Sequence, residues 1–359
     1  MFIRFEEKPE GELILLRLYG SLPEVRIPER IEGKPVTGLA PYAFSEKEPT
    51  AKDTSSENLY EVSSAAGNAP ADDTGRSLRE RLDREIVSGL ITPLAGEFIT
   101  SVYLPDSLKS IGELCFYQCR KLKKISLGSG EIEIGGDAFM NCRSLSTIEL
   151  RASSDQPTSL RKILAQRTSE TDVWFTDAAV HFPEYSEKYD LIGPAHIFEL
   201  NIEGEGFRAR KCFEGETFSL PMYDEVFRRA AQKDRVRMDR ASVSDRSGEP
   251  SGQRPEETGE DERTMCRMAA LRLCRPGGAA DLSEEAGEVY RIYLLSHMDA
   301  FLDELIRQRD LSVFLQLGEQ GILEKDHITL CLKKLTAARW VEGTRQVLGM
   351  NILESLRCL

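Results

Sequence analysis

The chain has 359 residues, 40% of them apolar, and a formal net charge of −13. That length exceeds one average domain and holds enough apolar material for two or three packed units. The negative balance argues against nonspecific binding to nucleic acid or anionic membrane, both of which call for a cationic surface.

The first element spans residues 2–19, where FIRF and LILLRLY flank the turn-like KPEGE and predict a β-hairpin that caps the open edge of the array behind it. Arg4, Glu6, Glu7 and Lys8 leave no room for the apolar core of a signal peptide. No later stretch reaches the roughly 18 apolar residues of a membrane span, so a cytoplasmic protein is expected. VRIPERIEGKPVTGLAPYAFS follows, with apolar Val25, Ile27, Val36 and Phe44. Over 46–75 only Leu59, Tyr60 and Val62 are large and apolar, which predicts a disordered insertion too poor in burial to offset its ordering entropy. Ser77 with Glu80 then reads as a capping box, and Leu78, Leu82 and Ile86 as the apolar stripe of a helix ending near Gly89 and Pro93.

From Ile99 to Leu150 the sequence repeats every 23 residues: Val102 falls on Ile125, Ile111 on Ile134, Gly112 on Gly135, Phe116 on Phe139, Cys119 on Cys142 and Leu122 on Leu145. A period in the twenties predicts a solenoid whose units bury their apolar faces on their neighbours. Leu122, Ile125 and Leu127 make an L-x-x-I-x-L strand, whereas Phe139, Cys142 and Leu145 have the spacing of three that suits a helical or 3₁₀ turn. Phe116 and Phe139 are expected to stack, and Cys119 and Cys142 to act as small apolar wedges. The residues between the inward ones, Ser101, Tyr103, Lys124, Ser126, Thr147 and Glu149, are expected to face solvent in three adjacent rows and to form the partner-binding surface.

L-x-x-I-x-L-(P/G) followed by IG-x-x-x-F-x-x-C resembles the BspA-like class of bacterial leucine-rich repeats. The match covers 99–150, and 25–44 is a degenerate first copy that lacks the Cys and the IG pair. The resemblance implies a surface for protein interaction and brings no catalytic residues. Many members of that class are displayed on cell surfaces, so the charged N-terminus departs from them.

Beyond Leu150 the period of 23 stops. SLRKILAQ and YDEVFRRAAQ predict helices, DVWF a strand, and HIFELNI with GFRARKCF two strands joined at EGEG, a small α+β connector over 151–235. Residues 236–262 read as a linker rich in Ser, Gly, Pro and charge. Over 263–359 a second repeat appears at a spacing of 30: Leu302 on Leu332, Leu305 on Leu335, Arg309 on Arg339 and Ile322 on Ile352. Its paired helices look like ankyrin-type hairpins without the T-P-L-H signature. The expected fold is α+β and multi-domain: a leucine-rich repeat domain over 1–150, the connector, the linker and an α-helical hairpin repeat tail.

Few constellations point to chemistry. Gly204, Gly206 and Ala209 outline G-x-G-x-x-A, but the strand-like FRARKCF behind them favours a hairpin turn over a dinucleotide loop. Cys115 and Cys119 lack a second ligand pair, and His181, His196, His297 and His327 are dispersed. The eight Cys contain no C-x-x-C pair, which suits free thiols in a reducing compartment. The basic run Arg228, Arg229, Lys233, Arg235, Arg237, Arg240 and Arg246 lacks interleaved aromatics and meets an acidic run, which favours a solvated segment. These readings converge on a non-catalytic protein-interaction scaffold with no cofactor or metal. The alternatives are an enzyme with its site in 151–235 and a nucleic-acid-binding regulator using 228–246.

Overall fold

The computed structural model describes residues 1–47, 58–62, 75–191, 198–247, 256–275 and 282–357. The chain divides into two compact units. One comprises Met1–Thr176 with Phe213–Phe218, the other Asp177–Cys212 with Ser219–Leu359.

In the first unit β1 (Phe2–Glu7) and β2 (Leu13–Gly20) form the expected antiparallel hairpin, its turn closed by Gly11 at φ 79°. Then come β3 (Glu24–Arg26), β4 (Arg30–Ile31), β5 (Lys34–Leu39), β6 (Asn58–Glu61), α1 (Gly75–Val87) and β7 (Thr92–Pro93). The repeats supply β8 (Ser101–Tyr103), β9 (Ser110–Ile111), β10 (Lys124–Leu127), β11 (Glu133–Ile134), β12 (Thr147–Leu150), α2 (Leu160–Leu164) and β13 (Thr171–Trp174). One sheet runs β11-β9-β5-β2-β1-β6, with β5, β9 and β11 parallel and Leu39, Ile111 and Ile134 in register. The other stacks β3, β8, β10, β12 and β13 in parallel, aligning Val25, Val102, Ile125, Ile148 and Val173, all but fully buried. Strand β2 pairs with β5, so the hairpin continues the first sheet and leaves β3 at an edge of the second.

The connecting turns stack as the 23-residue spacing predicts. Phe44, Phe116 and Phe139 lie face to face, with centroids 4.9 and 5.3 Å apart, and are buried. Two residues before each ring, Tyr42, Leu114 and Asp137 take the left-handed conformation (φ 61°, 52° and 52°), which reverses the chain at the same point of each turn. Gly112 and Gly135 permit the close approach of successive turns: a Cβ on Gly112 would lie 2.6 Å from the carbonyl carbon of Ala40, and one on Gly135 2.7 Å from that of Gly112. Cys119 and Cys142 are buried free thiols, as expected, and each also binds the turn before it. Cys119 Sγ donates to the Phe44 carbonyl (3.2 Å) and Cys142 Sγ to that of Phe116 (3.0 Å). The neighbouring Cys142 thiol, together with burial, pushes the Cys119 thiol up.

Several expectations need correction. Stacking continues past Leu150, because β13 pairs in register with β12 after a longer turn. The wider spacing, 25 residues from Ile148 to Val173, hides this rung from a search at 23. At the matching place in that turn Arg167 replaces the cysteine, and its Nη1 donates to the Cys142 carbonyl at 3.1 Å. Within 46–75, expected to be disordered, Asn58–Glu61 is a strand paired with β1, because Leu59 and Tyr60 bring their own backbone bonds to an open edge. Residues 48–57 and 63–74 of that stretch lie outside the described residues. Helix α1 starts at Gly75, so Ser77 sits inside it rather than capping it. Its stripe is as expected: Leu82 is buried against Phe2 and Tyr19, with Leu78 and Ile86 beside it.

The second unit contains β14 (Ala179–Phe182), β15 (Ser186–Leu191), β16 (Phe198–Glu203) and α3 (Gly206–Ala209), then α4 (Leu220–Ser247), α5 (Glu256–Cys274), α6 (Glu284–Ser296), α7 (Met298–Gln308), α8 (Ser312–Glu319), α9 (Lys325–Ala337) and α10 (Val341–Arg357). Here β16 pairs with β15, not with the segment after EGEG, which is the short helix α3. The reason is steric. A Cβ on Gly204 would sit 2.8 Å from the Glu184 carbonyl oxygen and one on Gly206 2.7 Å from the Pro183 carbonyl carbon, so both glycines serve close backbone packing. The linker expected at 236–262 is helical over most of its length, α4 running to Ser247 and α5 starting at Glu256, and 248–255 lie outside the described residues. The core of this unit includes an ion pair: Arg272, fully buried, donates through Nε to Asp224 Oδ1 (2.9 Å) and through Nη2 to Oδ2 (3.2 Å), and Tyr290 Oη adds a bond at 2.8 Å. Phe227 stacks on Tyr290 at 4.1 Å. In the helical tail the spacing of 30 has a conformational counterpart, since Arg309 and Arg339 both end their helices in the left-handed region (φ 58° and 51°).

Candidate functional site

The expected recognition residues lie on β8, β10 and β12, where pleating sends alternate side chains to opposite faces. Inward Val102, Ile125 and Ile148 are buried, and the rows between them are in register: Ser101, Lys124 and Thr147 in one, Tyr103, Ser126 and Glu149 in the other. The outer strands extend both rows. Glu24 and Asp172 join the first, and Arg26 and Trp174 join the second.

Tyr103 is the centre of this face. The Arg26 guanidinium sits 3.8 Å from its ring centroid and Lys124 Nζ 5.4 Å, so two cations hold one half-buried ring. Each cation also has an acidic partner. Arg26 Nη2 lies 2.8 Å from Glu24 Oε1, and Lys124 Nζ lies 2.8 Å from Glu149 Oε2. Partial burial works to lower the Lys124 pKa, but the bond to the Glu149 carboxylate and its charge outweigh this, and the net shift is upward. Lys124 is therefore charged and fixed in direction, and the ring is presented in a set orientation.

Ser126 departs from expectation. It is only 2% exposed, because the side chain of Arg151 closes over it: Nη1 donates to Ser126 Oγ (2.7 Å), Nη2 to the Leu104 carbonyl (2.6 Å), and the guanidinium pairs with Asp106 at 2.7 Å. The outward position belongs to Ser126, but the surface there belongs to Arg151. Arg26, Arg151 and Trp174 were missed from sequence, and two of them left a signal. Applying the strand alternation to VRIP sends Arg26 outward, and DVWF placed one longer turn after Glu149 does the same for Trp174.

The other constellations are not brought together into a site. Gly204 lies just before, and Gly206 opens, a helix of only four residues. Cys115 and Cys119 are buried, and burial raises the Cys115 thiol strongly. His181 lies on β14 and His297 in the turn between α6 and α7, His327 bonds the backbone N–H of Glu324 at the start of α9, and His196 lies outside the described residues. Among the described residues no group of three or more His, Cys, Asp or Glu is placed to hold a metal ion. In the basic run, Arg228 and Arg229 both bind Glu225, at 2.7 and 2.6 Å, and Lys233 lies 3.7 Å from Glu205. The side chains of Arg237, Arg240 and Arg246 lie outside the described residues. No helix among the described residues is long and apolar enough to cross a membrane.

No curated protein and no solved structure matches this chain. A family model does match part of it, the BspA type leucine-rich repeat region (6 copies), over residues 95–166. The matched stretch holds β8 to β12 and the Phe116–Phe139 stack, while β3, Phe44 and β13 carry the same stacking beyond it on both sides. Stacked parallel strands and turns that repeat their left-handed residues agree with that likeness: residues 95–166 are similar to the BspA type leucine-rich repeat region.

Proposed function

We propose that the chain is a non-catalytic interaction scaffold, and that the outward rows of β3, β8, β10, β12 and β13 bind a protein partner. The strands are the inner-face elements of a short solenoid in this reading, and the binding residues are Ser101, Tyr103, Lys124, Thr147 and Glu149, with Arg151 lying over Ser126. The observation that carries it is Tyr103, held between Arg26 and Lys124 on a rigid sheet. Aromatic residues with little conformational freedom to lose lead interface hot spots, and here the ordering cost is met before binding.

A photo-crosslinking side chain at Tyr103, used in the native cell, identifies the partner. The captured protein is then titrated calorimetrically against wild type, Tyr103→Ala and Lys124→Glu. Loss of affinity of about tenfold or more is expected for Tyr103→Ala, the scale of a hot-spot residue. Equal binding by all three chains, with circular dichroism unchanged, counts against this face.

A further inference from the structure

The helical tail carries a second surface, independent of the strand face. Helix pairs α7–α8 and α9–α10 are related by the 30-residue spacing, and in the first pair the surface turned toward its successor is closed. Leu311 is 2% exposed, Phe314 is buried, and Gly318 lies against Met350, whose Cε would have to move to admit a Cβ. Thirty residues on, the same positions are open: Val341 is 80% exposed, Thr344 half-buried and Leu348 47% exposed. They line a groove of about 760 Å³ with Leu335 and Trp340 at its base and Arg339 and Arg345 among its walls. Among the described residues the α9–α10 hairpin thus leaves open the face that α7–α8 fills with another helix pair.

Charge says what kind of helix fits. Two junctions of the tail pair opposite charges. Glu304 of α7 lies 3.7 Å from Arg263 of α5, and Lys334 of α9 lies 3.0 and 2.6 Å from Asp299 and Asp303 of α7. The open face reverses the sign once more, because Thr329 and Lys333 stand on α9 where α7 has Asp299 and Asp303. Lys333 and Arg345 are exposed, and Arg345 lies 3.9 Å from Glu342. A second copy docking by this same face would bring the exposed cations Lys333, Arg339 and Arg345 against their own counterparts, a repulsive contact.

We propose that this open face of the α9–α10 hairpin binds an acidic amphipathic helix of a partner protein, its apolar stripe in the groove and its carboxylates beside Lys333, Arg339 and Arg345. The test uses the full chain against a displayed library of amphipathic helices with a fixed leucine stripe and randomised flanking positions. Selection should enrich Asp and Glu at the flanks. A selected peptide, titrated by fluorescence anisotropy, should bind roughly tenfold more weakly to Lys333→Glu/Arg345→Glu, since a charge reversal at an interface costs at least that much. It should lose binding to Val341→Glu, a surface change that leaves the helical circular dichroism intact. Enrichment of Lys and Arg, no enrichment over the Val341→Glu chain, or binding indifferent to both variants would each overturn the proposal. So would a dimer in sedimentation that Val341→Glu dissociates, because the face would then belong to a second copy.

Discussion

Truncating Phe116 removes the middle ring of a three-ring stack, and the position makes the expected cost specific. The side chain is fully buried, with rings 4.9 Å away on one side and 5.3 Å on the other, both nearly coplanar with it. Phe→Ala in a core costs about 3–5 kcal/mol from lost transfer energy and the cavity left behind. An aromatic pair is worth roughly 0.5–1.5 kcal/mol beyond burial, and Phe116→Ala breaks two such pairs where Phe139→Ala breaks one among the described residues. The expectation is therefore an order as well as a size: Phe116→Ala should exceed Phe139→Ala by about 0.5–1.5 kcal/mol. The two tryptophans of the chain make the assay clean, since Trp174 lies in the first unit and Trp340 in the second. In a Trp340→Phe background, urea unfolding followed by fluorescence reports the first unit alone. An unchanged midpoint for both truncations, or a larger loss for Phe139→Ala, would refute the stacking argument.

The remaining expectations concern backbone approach and charge. Gly135→Ala should destabilise the first unit by about 1–3 kcal/mol, the usual cost of overpacking, while Gly136→Ala, whose Cβ meets nothing, should be nearly silent in the same assay. In the second unit Asp224→Ala leaves Arg272 charged in the core and should cost about 3–5 kcal/mol, whereas Asp224→Leu with Arg272→Met should recover most of the loss in a denaturation series. Arg228 and Arg229 hold the Glu225 carboxyl down to about 2 from its ordinary 4.5. A depressed carboxylate contributes stability that is complete above its unfolded value and is lost as pH falls toward the folded one. Exchange of the amides around Glu225 should therefore accelerate between about pH 4.5 and 2 relative to Glu225→Gln, and identical profiles for the two chains would remove this contribution.

The repeat region was legible because burial imposes periodicity. Val102 and Ile125, Gly112 and Gly135, and Phe116 and Phe139 recur at 23 because stacked turns must place the same shapes on one another, and the structure stacks them accordingly. The left-handed ends at Arg309 and Arg339 follow the spacing of 30 for the same reason. The outward rows were also readable, since alternation along a strand is a local property. What sequence could not determine is which side chain covers which position. Ser126 is outward by alternation yet buried, because Arg151 on the next rung reaches across to Asp106, the Leu104 carbonyl and the serine itself. Pairing across long separations was equally hidden. Asn58–Glu61 lies in a polar stretch and still becomes a strand, since β1 offers it unpaired backbone groups. Val173 joins the stack although its turn is longer, because register depends on where a strand lands and not on the length of chain that brings it there. Residue types and spacings determined the repeating local geometry, and long-range backbone pairing with side-chain coverage, which exists only once the chain is folded, decided the surface that a partner would meet.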